Sequence, residues 1–479
     1  MKNISYLLTH PQRRIIVAAS IVLLNGCATV NPSLDYERTR ALVANATGSF
    51  DLYIPNQTAD REEVMKTPLT GLTRADAVKA ALMNNKEIPS LMYEIGMSHA
   101  DAVQVGLLSN PSLNGVLRFP SGSGAGTLEA GLLQNLFAVF RRPARQRMAK
   151  ARLGKKIVEV AFAAANVAAE ASTAYINALI AARAKTVAVE NAKTARELLF
   201  VVKERLSVGT GTQLDINTAE AEAIEQDLMR EQAELNANFA MLALSGVMGV
   251  EEVLGLFSAA LTIARQPEVP HQLEILLELS EKNRLDYRAR KIQVDIARQK
   301  LRLEKQKVLR EASIGTSVES AGEGTEVGPA FTIEIPLFDQ NQAQIAKAEY
   351  RLSQAFAKLD AQRLAMRNEV RLAVTQHRAA RRAVHRFEKK LIPLRTESLA
   401  LAREAFSEGK TNLLFVIESQ RQLLQTRNEY LSRLKTYLTS VSAIEKAVGL
   451  SVCSIARQLK SEMHNAIQTS GCKVAKKVV

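Results

Sequence analysis

This chain lacks almost every group that does chemistry. Three cysteines and six histidines are spread over 479 residues, with no Cys-x-x-Cys, no His-Glu-x-x-His and no glycine turn presenting a nucleophile. No Walker-type loop is present, so the chain has no means of its own to use a nucleotide. His10, His99, His271, His377, His385 and His464 do not cluster. His377 and His385, eight apart on one helical stretch, read as solvated surface residues. Eleven scattered methionines form no copper-binding tract. Aromatics make up 5% of the chain and no basic block is interleaved with them, which excludes a stacking platform for single-stranded nucleic acid. No catalytic residue, cofactor or metal site is expected, and a hydrolase reading rests only on the abundance of acids. No stretch reaches the roughly 20 consecutive apolar residues of a transmembrane helix, so any membrane span must be β.

What is present begins with export. Residues 1–26 carry Lys2, Arg13 and Arg14 and no acid, followed by the short apolar run Ile15–Leu24, the pattern of a signal peptide. The adjacent arginines alone are weak support for the twin-arginine route. Leu24-Asn25-Gly26-Cys27 resembles a bacterial lipobox, which makes Cys27 the expected lipidated (palmitate-bearing) first residue of the mature chain. Ala28, not Asp, follows it, as in outer-membrane lipoproteins. With Cys27 acylated, Cys453 and Cys472 remain as a possible disulfide pair in the terminal region. The formal charge of +14 falls to +11 without the signal segment, and residues 454–479 hold a further +4 of it. Between the ends, basic and acidic residues alternate along helical stretches.

The body is duplicated. Asn84-Asn85-Lys86-Glu87 is echoed by Asn283-Arg284-Leu285-Asp286, Pro111 by Ala312, Gln134-Asn135-Leu136-Phe137 by Ile335-Pro336-Leu337-Phe338, Met148-Ala149-Lys150-Ala151 by Ile345-Ala346-Lys347-Ala348, and Gly209 by Gly409. These offsets lie between 197 and 201, so one unit of about 200 residues occurs twice. The expected organisation is a signal peptide (1–26), a lipidated linker (27–70), a first repeat (71–260), a second (261–450) and a basic tail (451–479).

Each copy reads as helix, two strands, then a very long helix that turns back as a second one. Helical periodicity covers 73–108 and 271–311. Strand-like alternation follows at 112–120, 127–136, 313–320 and 329–337, with Gly-rich turns at Ser121–Gly126 and Gly322–Gly328. Because these turns join strand to strand, they are hairpins and not phosphate cradles. Residues 142–207 then run 66 positions with Pro143 near the start and no proline after it, about 100 Å of helix at 1.5 Å per residue. Ala161–Ala184 is so rich in alanine that helices can pack closely into a wall. A similar run covers 340–408, with a kink expected at Pro393, and return helices cover 214–249 and 412–449.

Four strands of that length cannot close a barrel, and an open sheet in lipid leaves edge amides unpaired at several kcal/mol each. Other subunits must close it. The pattern over residues 70–450 resembles the TolC-like outer membrane efflux proteins, on Leu72-Thr73-Arg74-Ala75-Asp76-Ala77 leading to Asn84-Asn85, on Ile335-Pro336-Leu337-Phe338-Asp339, and on the two helix-to-helix turns. With the Cys anchor, it is similar to the branch serving metal and multidrug resistance pumps. The resemblance implies a mainly α fold of duplicated coiled-coil hairpins forming a periplasmic α-barrel. Four strands per chain would join a homotrimeric, 12-stranded transmembrane β-barrel anchored in outer membrane lipid. It also implies docking to a periplasmic adaptor and an inner-membrane transporter, and passive export of small toxic solutes. A periplasmic coiled-coil adaptor or structural lipoprotein is the alternative reading of the Ala-rich helices.

The same resemblance assigns the working residues. Arg205, Leu206, Ser207, Val208, Gly209 and Thr210 form the first expected adaptor-docking tip, and Glu408, Gly409 and Lys410 lie in the second. Both glycines also read as helix C-caps. Asp215, Phe415 and Glu418 are the tunnel-mouth candidates. Of the family's two acidic places in the second copy only Glu418 is an acid, so a two-layered acidic gate is in doubt. Asp215 also suits the first turn of a helix, where the dipole favours an anion.

Overall fold

The computed structural model describes residues 29–55, 72–119, 121–122, 126–250, 272–308, 312–321 and 324–459. The signal segment, Cys27, residues 56–70 of the linker and Cys472 lie outside the described residues.

After α1 (Ser33–Thr47), the first copy comprises α2 (Arg74–Asn84), α3 (Glu87–Gly106), β1 (Ser112–Arg118), β2 (Thr127–Asn135), α4 (Leu136–Ser207) and α5 (Gln213–Met248). The second comprises α6 (Leu273–Asn283), α7 (Leu285–Lys305), β3 (Ala312–Ala321), β4 (Gly324–Ile333), α8 (Gln342–Arg386), α9 (Ile392–Ser407) and α10 (Leu413–Val448). A short α11 (Val452–Leu459) ends the described chain. The duplication therefore holds element by element.

Within the helical spacing of 73–108 and 271–311 the chain breaks after Asn84 and after Asn283, where the two matching motifs open a new helix. Asn85 is extended, its Oδ1 accepting from Glu87 N at 2.8 Å to start α3 and its Nδ2 donating to the Val247 carbonyl at 3.0 Å. Arg284, also extended, reaches the Ala447 carbonyl at 3.5 Å and pairs with Asp286. Each break thus supplies a donor to the end of its copy's return helix. The return helices stop at Gly249 (φ 70°) and Gly449 (φ 76°), left-handed positions that favour glycine. Space demands glycine there too: a Cβ would lie 2.6 Å from the Asn84 carbonyl oxygen and 2.9 Å from the Arg284 Cα, respectively.

One compact unit is formed by the described residues within 1–35, 95–153 and 298–349. Its sheet has the order β1-β2-β3-β4, antiparallel throughout. Ala321 pairs with Gly324, so the second hairpin turns within two residues and the Gly-rich stretch up to Gly328 lies in β4 instead of forming the expected wide turn. That strand also ends earlier than expected, at Ile333. Leu136-Phe137 opens α4 directly, whereas the matching Leu337-Phe338 precedes a bend before α8. Asn341 makes that bend with φ 63°, and its Nδ2 donates to the Glu304 carbonyl at 2.8 Å and to its Oε2 at 3.0 Å.

The other unit falls within residues 36–94, 154–297 and 350–479, and its regular elements among the described residues are helices. Ala161, Ala164, Ala168, Ala171 and Ala178 are buried on one face of α4, and Tyr175 and Leu179 pack with Leu244 of α5 and Leu434 and Leu438 of α10. One window of α4 is apolar and long enough to cross a membrane, but 56% of it is buried by neighbouring helices, as in a packed wall. At the second copy's proline, Phe387–Leu391 form a π-helical turn, the Ile392 amide donating to the Phe387 carbonyl five residues back. Pro393 has no N–H and crowds the carbonyl four residues earlier, and the wider turn absorbs that clash. His377 departs from expectation: it is buried, its ring stacked on Tyr437 at 5.3 Å and its Nδ1 3.0 Å from Ser440 Oγ. His385 is exposed as expected.

Candidate functional site

The two helical hairpins end alike. Gly209 (φ 78°) and Gly409 (φ 74°) take the left-handed conformation that stops α4 and α9. Thr210 N donates to the Arg205 carbonyl and Lys410 N to the Ala405 carbonyl, at 2.9 and 2.8 Å, while each glycine amide donates three residues back. Both turns are therefore Schellman motifs. The next helices start on side-chain caps. Thr212 and Asp215 form a reciprocal capping box, Asp215 N donating to Thr212 Oγ1 at 3.1 Å and Thr212 N to Asp215 Oδ2 at 3.0 Å. In the second copy Asn412 Oδ1 accepts from Phe415 N at 3.1 Å, so position 415 needs no acid and its ring is exposed.

The expected tip residues divide into two groups. Ser207, Val208, Gly209, Thr210, Glu408, Gly409 and Lys410 are exposed, and Glu408 pairs with Lys410. Arg205 and Leu206 are half-buried. Arg205 instead ties the two hairpins together, Nη1 donating to the Phe406 carbonyl at 2.6 Å and the guanidinium lying 4.5 Å from the Phe406 ring centroid. Beneath them Val202, Ala219, Leu399, Phe406, Leu413 and Val416 form one apolar core from α4, α5, α9 and α10. Of the tunnel-mouth candidates, Asp215 serves its own capping box and Glu418 accepts from Gln422 of its own helix at 2.7 Å. These bonds lie within the start of α5 and within α10, and bring no acids of the two copies together.

Sequence reasoning missed the polar link just behind the tips. Glu222 of α5 is buried and accepts from Arg421 of α10, Nε at 2.9 Å and Nη2 at 2.7 Å, and from Gln226 at 2.9 Å. Arg421 also meets Glu225 at 3.0 Å, and its bond to the Glu222 carboxylate raises its pKa further. The signal was available. Arg421 and Glu222 are 199 positions apart and Arg205 and Phe406 are 201 apart, one repeat in each case. At this end of the hairpins, two pairs about one repeat apart therefore meet across the duplicated unit. A second missed cluster lies at the other end of the hairpins, where Arg74 donates to Glu445 at 2.9 Å and to Ser442 at 3.1 Å on the wall of a cavity of about 450 Å³.

The sheet has one apolar face. The register aligns Leu113 with Leu132 and Leu117 with Leu128, then Ile314 with Phe331 and Val318 with Val327. Leu113 and Phe331 are 79% and 78% exposed, and an exposed apolar face of this kind marks a surface that meets protein or membrane. On the opposite face Glu129, Glu319 and Glu326 stand directly across from one another, with Arg118 pairing Glu129 at 3.1 Å. β1 and β4 each pair on one side only, leaving two open edges. Among the described residues no group of His, Cys, Asp and Glu is placed to hold a metal ion.

Comparison with known proteins gives this geometry its context. The outer membrane efflux protein family model matches residues 77–250 and 276–450, once over each copy. The cobalt-zinc-cadmium resistance protein CzcC of Cupriavidus metallidurans is 23% identical over 294 residues, covering 59% of this chain and 68% of that protein. The nickel-cobalt-cadmium resistance protein NccC of Alcaligenes xylosoxydans xylosoxydans is 29% identical over 221 residues, 44% of this chain and 47% of that one. Among solved structures, CusC, described in terms of transmembrane channel formation, superposes with a TM-score of 0.69 at 17% identity, over 81% of this chain and 94% of that chain. The CmeC outer membrane channel of Campylobacter jejuni gives 0.65 at 17% identity, over 81% and 89%. With the family model covering most of its length in two collinear matches, the chain belongs to the outer membrane efflux protein family.

Proposed function

We propose that three copies of this chain assemble into a passive duct across the outer membrane, through which a periplasmic adaptor and an inner-membrane transporter expel small toxic solutes, with heavy-metal cations as the substrate class. The observation that carries the reading is the sheet: four strands, two open edges and an exposed apolar face. In lipid each unpaired edge amide or carbonyl costs several kcal/mol, and pairing β4 of one copy with β1 of the next removes that cost. Three copies bring twelve strands, enough for a barrel with a lumen. The polar sheet face then lines the lumen, and the glutamate row favours cations there. The cation class is supported by the metal-resistance relatives.

Cys27 carries the lipid anchor in this reading. The exposed parts of the two tips, Ser207–Thr210 and Glu408–Lys410, meet the adaptor, while Arg205 and Leu206 support them from below. Phe415 and Glu418 lie near the tunnel mouth, and Asp215 serves the helix start more than the mouth. The repeats 71–260 and 261–450 act as two pseudo-equivalent staves. Nothing in this scheme requires catalysis by the chain.

The test is made in outer membrane fractions. Heat-modifiable trimers that require detergent, together with cation resistance lost on deletion, are expected; a detergent-free soluble monomer refutes the duct. Gly409→Trp should leave trimers intact and lower resistance, and unchanged resistance removes the tips from docking.

A further inference from the structure

Helices α4, α9 and α10 line a half-open pocket of about 400 Å³ some turns behind the tips. Two of its lining side chains are amides that the packing almost entirely covers: Gln420 is 4% exposed and Asn191 7%. Among the described residues, neither the amide nitrogen nor the oxygen of Gln420 has a hydrogen-bond partner, and neither does the amide nitrogen of Asn191. Burying such groups unpaired works against folding. The charged residues at the rim differ, because Arg427 pairs with Glu190 at 3.5 Å and Lys193 with Glu197 at 3.9 Å. Nor is the arrangement an automatic product of the duplicated hairpin, since one repeat before Gln420 stands Glu220, which is exposed.

The donor and acceptor set selects the ligand. Gln420 offers one acceptor and two donor hydrogens, and Asn191 offers two more. A carboxylate can accept from both nitrogens but meets the Gln420 oxygen with repulsion. An ammonium group satisfies that oxygen alone. A carboxamide answers all three atoms, its N–H donating to Gln420 Oε1 and its carbonyl accepting from Gln420 Nε2 and Asn191 Nδ2. The amide atoms are closed to bulk water, so binding requires both side chains to change rotamer, a movement that the staggered side-chain wells allow without backbone change.

We propose that this pocket recognises a carboxamide, either a small free amide or the Gln or Asn side chain of another polypeptide. The purified full-length protein is titrated with propionamide and followed by saturation-transfer NMR, with propionate as the isosteric control. Saturable binding of propionamide but not propionate is expected, weakened at least tenfold in Gln420→Leu and in Asn191→Leu. Both variants should also melt no lower than the parent, and Gln420→Leu about 1–3 °C higher, because an unpaired buried amide has been removed. A helical twelve-residue peptide with one central Gln identifies the source: tighter binding than propionamide assigns a polypeptide, equal or weaker binding a free amide. No saturable signal, equal binding in both variants, or a lowered melting temperature in Gln420→Leu overturns the proposal, the last by showing that the amide holds the fold together.

Discussion

Replacing Arg421 by alanine tests the cross-repeat link most directly. Glu222 has only 3% of its side chain exposed, and Arg421 supplies two of the three hydrogen bonds found on its carboxylate. Removing one partner of a buried ion pair typically costs about 3–5 kcal/mol, because the remaining charge is stranded. Arg421 itself is 52% exposed, so water enters the space it leaves and the cost falls to about 1–3 kcal/mol. For a single cooperative unit of this length the unfolding entropy scales to roughly 1 kcal/mol per degree, so the melting temperature should drop by about 1–3 °C. Circular dichroism melts of the detergent-solubilised protein, supported by urea midpoints, measure it. The second arm fixes the cause: in Arg421→Ala/Glu222→Gln no charge is stranded, and most of the lost stability should return. If the single variant melts like the parent, or the double variant falls further, the link is not a buried ion pair in the sense used here.

Two further outcomes follow from the first compact unit. Burial pushes the Glu304 carboxyl up, but hydrogen bonds from Lys300, Asn341 and Lys307 outweigh it and hold the group down at about 2. A depressed carboxyl stabilises the fold above its ordinary value of 4.5 and loses that contribution as pH falls toward about 2; melting followed from pH 5 to 2.5 should therefore show a loss that Asn341→Ala diminishes, and parallel curves contradict the assignment. Gly315→Ala would place a Cβ 1.7 Å from the Leu132 carbonyl oxygen, which is backbone and cannot swing away. Pairing of β2 with β3 should be disrupted and heat-modifiable oligomers lost from the membrane fraction, with unchanged assembly counting against this register.

Much of the molecule was legible in the residue order because its signals are local or periodic. Glycine at 209 and 409 fixed both helix ends, since a left-handed residue there serves the chain's own backbone whatever surrounds it. The return helices, read as 214–249 and 412–449, fall at Gln213–Met248 and Leu413–Val448. Strand alternation was legible too, although β4 began earlier than its side chains suggested, because glycines at 324 and 328 pair through backbone without contributing to a pattern. The matching motifs marked helix starts near Asn85 and Arg284, but the bonds that hold the breaks were not legible. Each depends on a carbonyl more than 160 residues away in sequence, and a helical period cannot register a distant acceptor. The burial of His377 likewise depends on Tyr437 and Ser440 of another helix.

Sequence alone settled the duplicated plan, the long helices and their turns, because hydrophobic period, proline placement and capping act within a few residues of where they are written. Tertiary structure decided which residues at the tips are exposed and which are inward-facing ties, and that Glu222 meets Arg421. Those outcomes depend on packing between chain segments about 200 residues apart, where small differences in distance and solvent access determine whether a charge is a free surface group or a buried partner.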